Sequence, residues 1–179
     1  LQLLYAKQAK FSEKLDRELR VKSADLQERV KELRCQFEID QYSMEEDFSE
    51  SAFLEKSAGS IKKGFQHPEY TEVQIELEKV KVTSGDNKGS DWVLRQDMKF
   101  GNIQGKILVY YTRKRDSNPF LNEEKDLIQS LSVKIPRVIY TYRLTKELLA
   151  TNEGYRALND KYLQQNKELK KNNDKIKKE

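Results

Sequence analysis

Few residues in this 179-residue chain carry reactive chemistry: there is one cysteine, one histidine and one tryptophan. A lone thiol becomes a redox centre or an anchor where nearby cations or a second thiol lower its pKa. Cys35 has only Arg34 beside it, so it is expected as a small buried hydrophobe near Leu33 and Phe37. His67 stands before Pro68. Metal or haem ligation would need further ligands at defined spacing, and two scattered methionines and one cysteine do not supply them. General acid–base work would need a second group to orient the imidazole, and none is identifiable, so His67 is expected as a loop residue. Trp92 heads an alternating apolar run and is expected to close a sheet. Its alternative role is one wall of an apolar ligand pocket between sheet and helices. Asp86, Asn87, Ser90 and Asp91 gather oxygens in a turn, but lack the alternating ligands and final glutamate of a helix–loop–helix calcium site. Tyr110 and Tyr111 have basic neighbours, as a base-stacking platform would, yet strand alternation explains them. Phosphate loops, nucleophile elbows, HExxH and paired CxxC motifs are absent. The chain is therefore expected to be non-catalytic, with no cofactor and no metal.

Composition narrows the class. Charged and apolar residues each make up 36% of the chain, and the mean hydropathy is −0.90. That is too polar for one compact globule and too apolar for disorder, and it fits a small packed domain carrying long solvated helices. The net charge of +4 comes from 34 basic and 30 acidic residues. In residues 1–40 the signs interleave, 9 basic against 8 acidic. Interleaving suits solvated helix faces, whereas a nucleic-acid footprint needs a one-signed stripe. No apolar run approaches the roughly 20 residues that span a bilayer, so no direct membrane insertion is expected. The single cysteine excludes an internal disulfide and fits a reducing, cytoplasmic setting.

The elements that must position these residues follow from periodicity. Residues 1 to about 40 contain no Pro or Gly and predict one helix. Its apolar residues include Leu4, Phe11, Leu15, Leu19, Leu26, Val30, Leu33 and Phe37, several of them eleven apart. An eleven-residue repeat keeps a narrow stripe on one face with less supercoil than a heptad. Residues 47–65 predict a shorter helix, capped by Ser49 or Ser51, with Phe53, Leu54, Ala58, Ile61 and Phe65 buried. The period then falls to two. Residues 70–82 alternate through Val73, Ile75, Leu77, Val80 and Val82, residues 92–100 through Trp92, Leu94, Met98 and Phe100, and residues 106–113 through Ile107, Val109 and Tyr111. Short turns, including Gly101–Asn102, make these antiparallel hairpins. A helical run of about fifty residues follows from Leu121. Within it Tyr155, Tyr162, Leu169 and Ile176 recur every seven residues, alternating with Leu158, Gln165 and Asn172. Pro136 is expected either to break this run into two helices or to kink it, at about 3 kcal/mol.

In this order the motifs resemble a GAF-like sensor module of bacterial signalling proteins, above all multidomain sensor histidine kinases. Gly64, Phe65, Gln66, His67, Pro68 and Glu69 fit the glycine–aromatic–Gln–aromatic–Pro–Glu segment of those modules. Gly105, Ile107, Val109 and Tyr111 fit their third-strand pattern, and Pro119, Phe120, Leu121 and Glu124 the start of their last helix. The tail is similar to linkers that precede kinase dimerisation helices. The resemblance implies a reduced GAF/PAS-like α+β fold, a small antiparallel sheet of about three to five strands covered by helices, between long coiled-coil helices. The expected divisions are an N-terminal coiled-coil helix over 1–30, the α+β domain over 31–140 and a signalling helix over 141–179. It further implies a relay in a two-component system. The chain would form a parallel homodimer through Leu15, Leu19, Leu26, Val30, Tyr155, Leu158, Tyr162, Leu169 and Ile176, with a hinge at Pro136. The uncapped last helix is expected to run on into a kinase or other output domain of the same chain. The alternative from a different class is a scaffolding protein whose long helices bind partner helices.

Overall fold

A computed structural model describes the backbone of residues 2–86 and 90–176 and the side chains of residues 7–86 and 90–171. The order is α1 (Gln2–Ser43), α2 (Glu50–Gly64), a 3-10 turn (Pro68–Tyr70), β1 (Thr71–Leu77), β2 (Val80–Thr83), β3 (Trp92–Phe100), β4 (Ile103–Tyr111) and α3 (Asn122–Ile176). The fold is α+β, with one antiparallel sheet in the order β2-β1-β4-β3. The chain divides into two compact units, Leu1–Val138 and Ile139–Glu179. The described part of the second, up to Ile176, is the remainder of α3.

Local chemistry accounts for the boundaries. The Ser49 hydroxyl accepts the Ala52 amide and starts α2, one turn later than the first expected position. The apolar run over 70–82 is two strands, because the chain reverses at Glu78, which sits at a positive φ of 54°. β4 begins at Ile103, three residues before the expected start. Gly101, at φ 57°, makes a two-residue turn that sets Ile103 opposite Phe100.

The core lies on one side of the sheet. Val73, Ile75 and Leu77 of β1 alternate inward with Ile107, Val109 and Tyr111 of β4, and all are buried. Against them lie Phe53, Leu54, Ala58 and Ile61 of α2, Cys35 and Ile39 of α1, and Leu127, Ile128, Leu131 and Ile135 of α3. These side chains form the core between sheet and helices. The opposite side is polar, with Lys106 Nζ 2.8 Å from Glu76 Oε2. A hydrogen bond from Lys106 holds the Glu76 carboxyl below its ordinary range.

α3 continues unbroken through Pro136, so of the two expected outcomes the break into separate helices does not occur. Proline removes the hydrogen bond to the Ser132 carbonyl, at about 3 kcal/mol. Leu131 and Ile135 beside it are fully buried. Each such burial contributes roughly 1.5–3 kcal/mol, enough to hold the helical path across the lost bond.

Candidate functional site

Three features of the first unit clamp the start of α3, and each is built from residues distant in sequence. The first joins the two segments that carried the resemblance. Glu124, on the opening turn of α3, is 5% exposed. Its carboxylate accepts the Gln66 backbone amide at 2.7 Å and the Leu121 amide at 2.8 Å. The Leu121 bond is half of a capping box, satisfying an amide the helix leaves unpaired. The Gln66 bond ties α3 to the residues that end α2. Burial pushes the Glu124 carboxyl above its ordinary range, and the two amides oppose that shift.

The second clamp is aromatic. Phe120 meets the Phe65 ring edge-on at 6.2 Å and the Tyr111 ring edge-on at 6.4 Å. The His67 ring lies tilted against Tyr70 and edge-on to Tyr111, each at 6.2 Å. His67 is therefore a packing residue of this cluster; its Nδ1 lies 3.6 Å from Glu69. Aromatic pairs of this geometry contribute about 0.5–1.5 kcal/mol beyond their burial.

The third clamp is polar. Lys134 of α3 reaches Asp40 of α1 at 2.7 Å and the Gln36 carbonyl at 3.3 Å. A neighbouring group locks α1 to α2. Ser60 donates to Glu38 at 2.5 Å, and Tyr42 shares a hydrogen bond with Ser60 at 3.1 Å. The Ser60 hydroxyl is the main reason the Glu38 carboxyl sits below its ordinary range. None of these tertiary pairs was visible in the sequence. The one available signal was Glu124 three residues after Leu121, the capping-box spacing.

The single-copy residues fall into place around this joint. Cys35 is 2% exposed and burial raises its thiol to about 12. A side chain at Gly64 would meet Leu127 at 3.2 Å and Cys35 at 3.4 Å, so α1, α2 and α3 touch there. Trp92 is half-buried, its indole N–H donating to the Arg115 carbonyl at 3.0 Å. It rims an open depression of about 710 Å³ shared with Ser90, Asp91, Thr112, Arg113, Lys114 and Arg115. That depression is polar, unlike the apolar pocket expected between sheet and helices. Ser90 donates to the Tyr111 carbonyl. Asn87, the second oxygen donor of that turn, lies outside the described residues. Among the described residues no group of three or more His, Cys, Asp or Glu is placed to hold a metal.

The long helices carry the apolar residues that the first unit does not cover. On α1, Leu33 and Phe37 are 66% and 62% exposed, while Cys35 and Ile39 between and beside them are buried. Leu15, Leu19, Leu26 and Val30 continue the exposed row. With Phe11 and Leu33 they follow an eleven-residue repeat, interrupted by Lys22. On α3, Tyr155, Leu158, Tyr162 and Leu169 are 59–70% exposed. Leu144 and Leu148 extend that heptad toward the N-terminus and are also exposed. The side chain of Ile176 lies outside the described residues. A groove of about 480 Å³ on this face is lined by Tyr155, Leu158, Asn159, Lys161, Tyr162 and Gln165. No described helix is long and apolar enough to cross a membrane. No family model, no curated protein and no solved structure matches the chain.

Proposed function

We propose that this chain is a non-catalytic relay module that dimerises in parallel through its long helices. A change of packing in the first unit would bias the course of α3 toward an output domain of the same chain. The observation that carries this reading is the exposed heptad row of α3. Tyr155, Leu158, Asn159 and Tyr162 stand at i, i+3, i+4 and i+7 around the 480 Å³ groove. In a parallel two-stranded coil that hole receives the partner's Leu158. Burying one such side chain removes about 60–120 Å² of apolar surface, at roughly 25 cal/mol per Å² and 1.5–3 kcal/mol each. Six exposed residues of α1 and six of α3 then reach the range of about 1,200–2,000 Å² that stable interfaces bury.

The flanking charges favour the parallel arrangement. Glu147, Lys161 and Glu168 precede the first core position of their heptads, and Asn152, Asn159 and Asn166 follow the second. A parallel pair sets these two flanks against each other, so Glu147 meets Asn152 and Lys161 meets Asn166 of the copy. No like charges are opposed. The stripes of α1 and α3 have different periods, eleven and seven, so each matches a copy of itself over more turns than it matches the other.

The clamps at Glu124, Phe120 and Lys134 support a relay. They tie the first turns of α3 to the helix ends and to the sheet, so a shift in any of these moves the helix. Polar Gln165 and Asn172 at inward heptad positions weaken the seam and define its register, which suits a helix poised between two arrangements. Pro136, lacking one backbone hydrogen bond, is the proposed hinge. The resemblance to GAF-like modules makes a histidine kinase in a reducing cytoplasm the output class. It rests on the ordered motifs, two of which meet at the Gln66–Glu124 bond.

Light scattering across a concentration series tests the dimer. A mass of at least two chains is expected, and Leu158→Lys with Tyr162→Lys is expected to weaken the association at least tenfold at unchanged sheet content. A strict monomer at high concentration sinks the parallel dimer and leaves the scaffolding alternative, in which another protein's helix covers the stripe.

A further inference from the structure

β3 is an edge strand of nine residues, hydrogen-bonded among the described strands to β4 alone. Which of its backbone groups face outward follows from the register. The Thr112 amide donates to the Tyr70 carbonyl and the Glu78 amide to the Gln104 carbonyl, so even-numbered β4 residues turn their backbone to β1. Odd-numbered β4 residues therefore turn to β3, where they pair with Trp92, Leu94, Gln96, Met98 and Phe100. The backbone groups of Val93, Arg95, Asp97 and Lys99 are left facing the outer edge. Such an edge is a template for another strand.

We propose that this edge pairs with β3 of a second copy, antiparallel and centred on Gln96, joining two four-stranded sheets into one. Residues whose numbers sum to 192 then face each other. Arg95 meets Asp97 of the copy, twice by symmetry. Leu94 meets Met98, Trp92 meets Phe100, and Gln96 meets itself. Arg95 already bonds its own Asp97 at 2.9 Å, on the solvent side of the sheet, where both are exposed. Pairing converts these two ion pairs into a four-charge square of alternating sign. Opposite charges across strands stabilise and like charges destabilise.

Backbone parity allows only shifts of two residues, and the neighbouring registers are opposed by charge. A sum of 190 sets Arg95 on Arg95, and a sum of 194 sets Asp97 on Asp97 and Arg95 on Lys99. Charged residues on an edge ordinarily guard it against pairing. Here their order favours one register along the whole strand, supplied by the chain itself; a sum of 196 also sets Asp97 against Lys99, but it pairs only residues 96–100 of each strand. The Gln96 side-chain amide donates to the Asp97 carbonyl at 3.3 Å, and that carbonyl keeps a second lone pair for the Arg95 amide of the copy.

The pairing uses no residue of the helical stripes, so it is tested apart from them. Gln96→Cys lies on the two-fold as a non-hydrogen-bonded pair, where Cα atoms stand about 4.5 Å apart, within disulfide reach. Oxidised glutathione is expected to cross-link this variant, in wild-type helices and equally with Leu158→Lys and Tyr162→Lys. Val93→Cys, which faces Lys99, is the control and stays uncross-linked. In the Gln96→Cys background, Asp97→Arg or Arg95→Asp each sets like charges across the edge and lowers the cross-linked yield about tenfold. The double swap Arg95→Asp with Asp97→Arg restores it, and so does mixing the two single variants, which complement each other. Equal cross-linking at Val93→Cys, indifference to the charge changes, or failure of the mixture to recover overturns the proposal. So does absence of a cross-link at Gln96→Cys, the result if β3 pairs with another protein's strand.

Discussion

The backbone amide of Gln66 donates to Oε1 of Glu124 at 2.7 Å, across 58 residues of sequence. This bond holds the end of α2 against the first turn of α3, and the carboxylate that accepts it is buried. Burial outweighs the two amides and places its pKa above the ordinary carboxylate range. The unfolded chain therefore releases this proton at lower pH than the fold does. Stability from this group is full below the ordinary carboxylate pKa and declines as pH rises through the raised value. Urea midpoints measured from pH 4 to pH 8 should show this decline in the wild type, and Glu124→Gln should flatten it. Glu124→Ala should lose about 1–3 kcal/mol across the whole range, because it removes the acceptor of both the Gln66 and Leu121 amides. An identical pH profile for wild type and Glu124→Gln would contradict the assignment.

Cys35 should be inert in the fold. Its thiol is buried against Gly64 and Leu127 and raised to about 12, so the thiolate that reacts with alkylating agents is almost absent at pH 8. Labelling followed by mass spectrometry is expected to proceed only as fast as the chain unfolds, and to become rapid in denaturant. Fast labelling of the native protein would show an open joint between α1, α2 and α3.

Two glycine substitutions should act in opposite directions. A Cβ on Gly105 would lie 2.2 Å from the Glu76 carbonyl oxygen and 3.0 Å from Leu77 Cα, both backbone atoms of the neighbouring strand. Gly105→Ala must push β4 from β1 and is expected to destabilise by about 3 kcal/mol. In a chain of this size that lowers Tm by roughly 6–12 °C. Gly59, inside α2, has nothing within 4 Å of the same position. Gly59→Ala should stabilise by about 1 kcal/mol, because alanine is the better helix former. Differential scanning calorimetry of the two variants distinguishes the outcomes, and a tolerated Gly105→Ala would refute the strand register.

Much of the architecture was legible because its causes are local. The unbroken stretch to Ser43, the alternation from Trp92 to Phe100 and the Gly101–Asn102 turn each depend on neighbouring residues, and they stand where periodicity placed them. The reversal at Glu78 was hidden because its residue types carry no turn signal. Glutamate at positive φ is held there by the strands that pair on either side. Whether Pro136 breaks or only kinks the last helix stayed open in the sequence, because the local cost of proline is offset by burial against elements far away in sequence.

The sequence by itself determined the periods: eleven residues along the first helix, two along the strands and seven along the last. It did not determine which face of each element meets the core. On the first helix Leu33, Cys35 and Phe37 are all apolar neighbours, and the fold buries Cys35, as expected, together with Ile39 and turns the larger side chains outward. The physical reason is that a face is chosen by what lies opposite it. Gly64 offers room for a small thiol and no more, and Lys134 finds Asp40 only when α1 presents that side. Tertiary packing alone assigned those partners, and in doing so it left Leu15, Leu19, Leu26, Val30, Leu33 and Phe37 facing outward.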